Sequence, residues 1–282
     1  MKTGGSVASF PALGDVDRDK RVEVVVGSAD YNIYCIEGGS GAVKWRVKIN
    51  GFVGSPILGD VDGDGLTEVV VGSWGTYYPS IYCIEGESGL IKWRVKTDSG
   101  IVNSALGDVD GDGIVEVVVG SQFCTYCIDG ESGEVKWKVK SFFIPPVLGD
   151  IDGDERVEIV IGSLIRDLGN VCYIIDGANG KIKWKVKTNV GIASHALGDV
   201  DGDGQIEIVF ASSDGWLYLF KFERTSGKIL WARWHGDGYG TGMLENALSY
   251  GEAARLGETD RWTPEEFVPV PKQPPYIELA LE

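Results

Sequence analysis

The sequence predicts an all-β fold: a five-bladed β-propeller of four-stranded antiparallel blades, followed by an irregular C-terminal extension. Three markers recur five times in phase, and such self-similarity indicates a repeat architecture. The phrase Asp-x-Asp-x-Asp-x-x-x-Glu returns at intervals of 45, 48, 42 and 49 residues, starting at Asp15, Asp60, Asp108, Asp150 and Asp199. A tryptophan keeps the same period at Trp45, Trp93, Trp137, Trp184 and Trp231. A Ser-Gly or Asn-Gly turn precedes each tryptophan.

Each repeat contains four short apolar or β-branched runs separated by turn residues. In the second copy they are Val53–Asp60, Glu68–Ser73, Ile81–Glu85 and Leu90–Lys96. Four short strands at a period in the forties are typical of a propeller blade, whereas no repeat has a 3.6-residue periodicity of helix length. The predicted propeller covers residues 1–234, with blades at about 7–49, 52–96, 100–140, 143–187 and 191–234. A piece of a larger ring is the alternative.

Two segments of the second copy resemble known propeller repeats. Leu58–Ser73 resembles the FG-GAP (VCBS-type) repeat of integrin α-subunit propellers, and Ile81–Trp93 resembles the second half of a quinoprotein-type blade. The resemblance extends over roughly residues 7–234. It implies a propeller whose acidic loops bind calcium.

The acidic loops are predicted to bind up to five calcium ions. Four carboxylates within nine residues repel one another unless a hard cation lies between them, and Ca²⁺ takes six to eight oxygen ligands. We expect side-chain ligands at positions 1, 3, 5 and 9 and a backbone carbonyl at position 7. The candidates are Asp15, Asp17, Asp19, Arg21 and Glu23; Asp60, Asp62, Asp64, Leu66 and Glu68; Asp108, Asp110, Asp112, Ile114 and Glu116; Asp150, Asp152, Asp154, Arg156 and Glu158; and Asp199, Asp201, Asp203, Gln205 and Glu207.

Two loops depart from the pattern of glycine at positions 4 and 6. The first has Arg18 and Lys20 there, and the fourth has Glu155 at position 6. Left-handed backbone costs a residue with a Cβ roughly 1 kcal/mol, so we expect weaker binding in these two loops. Magnesium is the competing ion. Glutamate at position 9, where integrin-type loops usually have aspartate, leaves monodentate and bidentate binding open.

With the strands of a blade labelled A to D from the innermost, the B–C and D–A turns emerge on the face opposite the acidic loops. They carry varied aromatic residues. Variable loops on a rigid scaffold tend to carry function, and exposed rings suit sugar stacking or a protein anchor. The alternative is that these rings pack on one another or on the tail. The candidate ligand-face residues are Phe52, Trp74, Tyr77, Tyr78, Phe123, Phe142, Arg166 and Trp216.

Composition excludes several classes of protein. The net charge of −16 comes largely from the loops, which contribute twenty of the 42 acidic side chains. Nucleic-acid binding needs basic patches, so no nucleic acid is expected as a partner. The sequence has no apolar run long enough for a membrane span, and Met1–Gly5 lacks the apolar core of a secretory signal. Cysteines recur at one strand position, Cys35, Cys83 and Cys127, which favours small buried hydrophobes over disulfides or zinc.

No catalytic constellation is evident in the sequence. Ser194 and His195 adjoin on a predicted strand and would point to opposite faces. We therefore predict a non-catalytic, calcium-binding module for binding or adhesion outside the cell or at its surface, with a protein or carbohydrate ligand. The alternatives are a carbohydrate-active enzyme (glycosidase or lyase) and a structural subunit that docks through its C-terminal tail. That tail, residues 235–282, is predicted to be partly helical and Pro-rich.

Overall fold

The computed structural model describes residues 2–75, 77–141, 145–163, 171–187, 192–200, 205–212, 217–221 and 229–231. Within these residues the regular structure is β-strand, and each of the five repeats forms one antiparallel sheet. No helix of the described residues is long and apolar enough to cross a membrane. The predicted C-terminal extension lies outside the described residues.

The strands follow the order predicted for a propeller blade. The first unit contains β1 (Ala12–Gly14), β2 (Glu23–Gly27), β3 (Asn32–Glu37) and β4 (Val43–Lys48). The second contains β5 (Phe52–Val53), β6 (Ile57–Gly59), β7 (Glu68–Trp74), β8 (Ser80–Glu85) and β9 (Ile91–Lys96). The third contains β10 (Ile101–Gly107), β11 (Glu116–Ser121), β12 (Cys124–Asp129) and β13 (Val135–Lys140). The fourth contains β14 (Val147–Gly149), β15 (Glu158–Ser163), β16 (Val171–Asp176) and β17 (Ile182–Lys187), and the fifth contains β18 (Ile192–Gly198), β19 (Glu207–Ser212) and β20 (Leu217–Lys221).

Consecutive strands pair as neighbours, so each acidic loop joins the first and second strands of its sheet. The loop closes at a Gly–Glu pair, such as Gly59 opposite Glu68 and Gly107 opposite Glu116. In the second unit the first strand is split, because β5 and β6 pair separately with β7. All A–B loops therefore leave from one end of the sheets, and the B–C and D–A turns leave from the other.

The core lies between sheets, as expected for stacked blades. One cluster joins the first and second units, a second extends from the second unit to the fourth, and a third joins the fourth and fifth. The middle strands are buried on both faces, for example throughout β11. That accounts for their continuous β-branched runs, which lack an apolar–polar alternation. The five cysteines are free and buried, in agreement with the small-hydrophobe prediction.

Three tryptophans lock neighbouring sheets together. The indole N–H of Trp45, Trp93 and Trp137 donates to a glycine carbonyl in the next unit, at 2.6, 2.7 and 2.7 Å respectively. A second glycine, three residues after the one that accepts this hydrogen bond, packs directly on the indole. A Cβ at this position would lie 2.8–2.9 Å from the indole; the three glycines are Gly89, Gly133 and Gly180. These three tryptophans therefore pack between neighbouring sheets.

The last strand differs from the prediction. Ile229–Trp231 was expected to form the outer strand of the fifth unit, but as β21 it pairs with β14, the inner strand of the fourth. An inner strand has a free edge of backbone N–H and C=O groups, and a short segment returning from the fifth unit satisfies part of it. The fifth unit thus has three strands among the described residues.

The first and fifth units each have an uncovered face. Leu13 is 41% exposed, whereas the equivalent Leu58, Leu106 and Leu148 are fully buried. At the other end, Val200 is 57% exposed, whereas the equivalent residues of the other loops are at most 2% exposed: Val16, Val61, Val109 and Ile151. No sheet of the described residues closes the ring.

Candidate cation sites and an aromatic cleft

The glutamate at position 9 fixes the start of each acidic loop through a hydrogen bond. One carboxylate oxygen, Oε2, accepts the backbone N–H of position 2 in all five loops, at 2.8–3.1 Å. These glutamates are buried because each begins a central strand: Glu23, Glu68, Glu116, Glu158 and Glu207. The other oxygen, Oε1, faces into the loop. In Glu23 and Glu207 this buried oxygen has no hydrogen-bond partner.

The aspartate side chains accept hydrogen bonds from backbone N–H groups of their own loop. In the second copy Asp60 accepts the N–H groups of Gly63 and Gly65, both at 2.8 Å. Asp64 accepts the N–H of Leu66 at 2.7 Å. The third and fourth copies repeat this pattern. At position 3, Asp62 accepts the N–H of Asp64 at 3.4 Å, and the third and fourth copies have the same bond. One oxygen of each aspartate at positions 3 and 5 is thereby used, and the second remains for a cation.

The irregular loops keep the same backbone conformation as the regular ones. Arg18, Lys20 and Glu155 have φ of 61°, 66° and 67°, close to the 73° and 79° of Gly63 and Gly65. The expected left-handed strain is therefore present in the first and fourth loops. Their weaker cation affinity remains a prediction.

The oxygens converge in four of the loops. Carboxylate groups with ligand atoms within 4.8 Å of one another are Asp15, Asp17 and Asp19; Asp60, Asp62 and Glu68; Asp108, Asp110 and Glu116; and Asp150, Asp152 and Glu158. In the fifth loop, Asp201 and Asp203 lie outside the described residues. Hard carboxylate oxygens, together with a buried oxygen of Glu23 and one of Glu207 that accept no hydrogen bond, fit a divalent cation such as Ca²⁺. The predicted carbonyl ligands of position 7 remain a prediction.

A lysine that the sequence pattern did not single out lies at the centre of four loops. Lys136 Nζ is 2.6 Å from Asp110, 3.0 Å from Asp112 and 2.8 Å from Glu116. Lys183 makes the same three contacts in the fourth copy, at 2.6, 3.3 and 2.8 Å. Lys92 contacts all three equivalent acids of the second copy, and Lys44 contacts Asp17 and Glu23 of the first. The signal in the sequence is a lysine directly before the tryptophan in four of the five repeats.

Burial raises the pKa of Glu23, Glu68, Glu116 and Glu158, and neighbouring aspartates raise it further in each of these four loops. For Glu68 the pKa rises to about 7, although the Val61 N–H and Lys92 oppose the shift. The pKa of Glu116 and of Glu158 is also raised, chiefly by burial. The pKa of Lys92 and of Lys136 is raised because hydrogen bonds to carboxylates outweigh burial. These shifts mean that the ionised loops are destabilised unless a positive charge lies among the oxygens.

An aromatic cleft lies at the opposite end of the sheets. It has a volume of about 610 Å³ and lies where the start of the first unit meets the turns of the second and third. Tyr77 is 98% exposed, and the rings of Phe10, Trp74 and Phe123 are about half exposed. The polar lining includes Asp98, which pairs with Lys138, and Gln122.

The predicted ligand-face residues divide into three groups. Trp74, Tyr77 and Phe123 line the cleft, and Tyr78 is exposed beside them with Lys96 Nζ 5.6 Å from its ring centroid. Phe52 is half-buried between Tyr31 and Trp74, at centroid distances of 5.3 and 4.8 Å, so it supports the cleft. Phe142, Arg166 and Trp216 lie outside the described residues. Phe10 was missed because it precedes the first strand and has no equivalent in the other repeats.

Ser194 and His195 do not form a catalytic pair. Ser194 is exposed and His195 is buried beside Phe210, which confirms that neighbours on β18 point to opposite faces. Burial lowers the pKa of His195 to about 4, and the backbone of Val160 only partly offsets this effect. The imidazole is therefore neutral at physiological pH.

The repeats and the acidic loops define a β-propeller-type repeat protein, and comparison with known proteins agrees. The profile of the FG-GAP-like repeat matches residues 60–119 and 150–210, so the chain contains FG-GAP-like repeats in these two places. No curated protein sequence matches the chain.

Solved structures with similar folds are β-propellers. Sqt1 of Saccharomyces cerevisiae aligns with a TM-score of 0.60 at 15% identity, over 77% of this chain and 59% of that one. The WD40 β-propeller domain of Doa1 aligns at 0.51 and 16% identity, over 79% and 66%. BBS1N, solved in complex with ARL6DN, aligns at 0.51 and 14% identity, over 76% and 66%. The chain thus spans about three-fifths to two-thirds of these structures, and likeness at such identity shows the fold alone.

Proposed function

We propose that this chain is a non-catalytic, calcium-binding β-propeller that acts as a binding or adhesion module outside the cell or at its surface. Its ligand, a carbohydrate or a protein, is received in the aromatic cleft opposite the acidic loops. The observation that carries the proposal is this separation of the two features. Grouped carboxylates lie at one end of the sheets, and exposed rings form a concave surface at the other.

Calcium has a structural role in this proposal. The aspartates at positions 1, 3 and 5 and the glutamate at position 9 would hold the ion, which supplies positive charge among oxygens that otherwise repel one another. At that end of the sheets, the ion would neither contact the cleft nor activate a ligand there. Loops with several carboxylates suit surroundings rich in calcium, which supports a location outside the cell.

The cleft supports ligand binding better than catalysis. Glycoside cleavage canonically uses two carboxyl groups that flank the scissile bond, about 5–9.5 Å apart. Among the described lining residues Asp98 is the single acid, and its carboxylate is paired with Lys138. Exposed rings with a few polar neighbours instead suit stacking on the apolar face of a sugar or on a protein side chain.

Substitutions in the cleft test this function. We expect Trp74→Ala and Phe123→Ala each to weaken ligand binding about tenfold, because an aromatic anchor commonly contributes 1–2 kcal/mol or more. A glycan array identifies carbohydrate ligands, and titration calorimetry with the best glycan measures the change in Kd. Leu90→Ala is the matched control, because Leu90 is exposed in a turn at the acidic-loop end. A Kd for the glycan that neither cleft substitution changes would refute the assignment of the cleft as the ligand site.

We also propose that the uncovered faces of the first and fifth units pack together and complete a five-bladed ring. At the other seams, the face equivalent to Leu13 packs on the face equivalent to Val200. Because equivalent faces pack on one another at the other seams, the two exposed faces are expected to fit together in the same way. Because β21 is paired elsewhere, this seam would close without a tryptophan lock.

Leu13→Ala tests the closed ring. If the seam is closed, the substitution removes buried apolar surface, and the free energy of unfolding falls by about 2–5 kcal/mol, as for a core leucine. Leu106→Ala is the buried reference and Leu90→Ala the exposed one. Denaturant unfolding gives the three values, and sedimentation at several concentrations shows whether the chain is a monomer. A cost no larger than that of Leu90→Ala, or closure through a second copy, would refute the five-bladed ring.

A further inference from the structure

The ammonium group of a lysine occupies the position that the acidic loop prepares for a cation. We propose that Lys44, Lys92, Lys136 and Lys183 are resident counter-cations, which hold the loops folded without metal and must be displaced before calcium binds. This inference rests on the proposed calcium binding and concerns residues outside the ligand set. It makes calcium occupancy a competition between the ion and a side chain of the same unit.

The contacts of Lys136 and Lys183 carry the argument. In each loop one ammonium touches the oxygens of positions 3, 5 and 9, and those are the oxygens left over after the backbone N–H groups are satisfied. In the third copy the acid at the end of β12, Asp129, lies 3.8 Å from the same nitrogen and joins the cluster. An ammonium at this place neutralises part of the charge that would otherwise require a metal.

The backbone is arranged to present this lysine. In each of the first four sheets the pairing of the third and fourth strands shifts by one residue, and the unpaired residue is the lysine. For example, Cys83 pairs with Trp93 and Ile84 pairs with Ile91, which leaves Lys92 between them. The other three units repeat the shift at Lys44, Lys136 and Lys183. A β-bulge re-aims the side chain at the extra residue, so the same local feature directs all four lysines into their loops.

The fifth repeat differs at this position. Leu230 precedes Trp231 where the other repeats have lysine, and this segment pairs with β14. Lys221, from the end of β20, approaches Glu207 at 3.7 Å. The fifth loop thus lacks the bulge lysine, and its calcium binding would not require displacement of that side chain.

The test replaces three lysines together by methionine, which keeps the length and the apolar stem: Lys92→Met, Lys136→Met and Lys183→Met. The control triple variant, Lys48→Met, Lys96→Met and Lys140→Met, removes the same charge from the ends of three outer strands. Calorimetric titration with CaCl₂ gives the Kd, and melting in chelator gives the metal-free stability. We expect the loop triple variant to bind calcium at least about tenfold more tightly than the control triple variant, since a charge-assisted contact is no longer broken. It should also melt at a lower temperature in chelator.

The outcomes separate this inference from the proposed function. A wild-type chain that binds no calcium, with a loop triple variant that does, supports the resident lysines and refutes calcium binding by the natural protein. Equal Kd values and equal metal-free melting in the two triple variants refute the resident lysines and leave calcium binding intact. If neither the wild-type chain nor the loop triple variant binds calcium, the proposed calcium binding and the displacement of lysine by calcium are both refuted. If the loop triple variant folds only in calcium, that dependence supports the inference, and if it never folds, Lys136→Met against Lys140→Met gives the same comparison at one loop.

Discussion

Replacing Trp93 with alanine is expected to lower the free energy of unfolding by about 3–5 kcal/mol, the range typical of a large aromatic residue lost from a core. The indole joins the second and third sheets, is nearly buried, and donates a hydrogen bond to Gly130 O at 2.7 Å. Its loss leaves a void at the seam and a buried carbonyl without its donor. Chemical unfolding followed by circular dichroism measures the change. Trp74→Ala is the control, because Trp74 is half exposed in the cleft and should cost well under half as much.

Gly133, which packs on the indole of Trp93, provides an independent test of this contact between the sheets. A Cβ at Gly133 would approach Trp93 to 2.8 Å, whereas a Cβ at Gly41 would meet nothing within 4 Å. Both glycines are left-handed, with φ of 73° and 71°, so alanine costs the same backbone strain at each, roughly 1 kcal/mol. Gly133→Ala should therefore destabilise the protein more than Gly41→Ala. Equal costs at the two positions would show that the tryptophan does not lock the sheets.

Calcium is expected to raise the melting temperature by several degrees for each loop that it fills. Binding to the folded state alone adds about 2.7 kcal/mol per site at a hundredfold excess over Kd, and 1 kcal/mol corresponds to roughly 2–4 °C for a chain of this size. The cost of displacing a lysine ammonium from its loop is already included in the measured Kd. Calorimetric melting in chelator, in CaCl₂ and in MgCl₂ gives the shift and the ion preference.

Glu116→Gln is the matched variant for this measurement. Glutamine keeps an oxygen for the Val109 N–H, which Glu116 accepts at 2.8 Å, but it removes a charged ligand from one loop. The rise in melting temperature caused by calcium should become smaller by about the contribution of one loop, while the fold is retained. A melting temperature that is identical in chelator and in calcium for the unaltered chain would contradict the calcium assignment.

The in-phase markers were sufficient to predict the blades, because a short-range pattern that recurs five times constrains both strands and turns. The loop geometry was also predictable, since glycine at positions 4 and 6 indicates left-handed backbone, and Arg18 and Lys20 adopt it as well. An aspartate accepts the backbone N–H of the aspartate two residues later, as Asp62 does from Asp64, which is a local effect that sequence spacing encodes.

The lysine at the loop centre was not predicted because its role depends on a register shift between the third and fourth strands of the sheet, whereas the loop joins the first and second. The strand pattern of Leu90–Lys96 gives no sign that Lys92 is unpaired with respect to β8, and only the pairing reveals it. The pairing of β21 was missed for a related reason. Trp231 keeps the repeat period in sequence, yet the free edge of β14 is a long-range feature that a periodic pattern does not encode.

The most direct measurement is anomalous diffraction from a crystal of the full chain grown with CaCl₂. Our expectation is that calcium peaks lie among the carboxylates of the acidic loops, about 2.3–2.6 Å from the ligand oxygens, with the lysine ammonium displaced from each filled loop among the first four. Density for Lys92, Lys136 and Lys183 in their loops at saturating calcium, with no anomalous peak at any of the five loops, would contradict it.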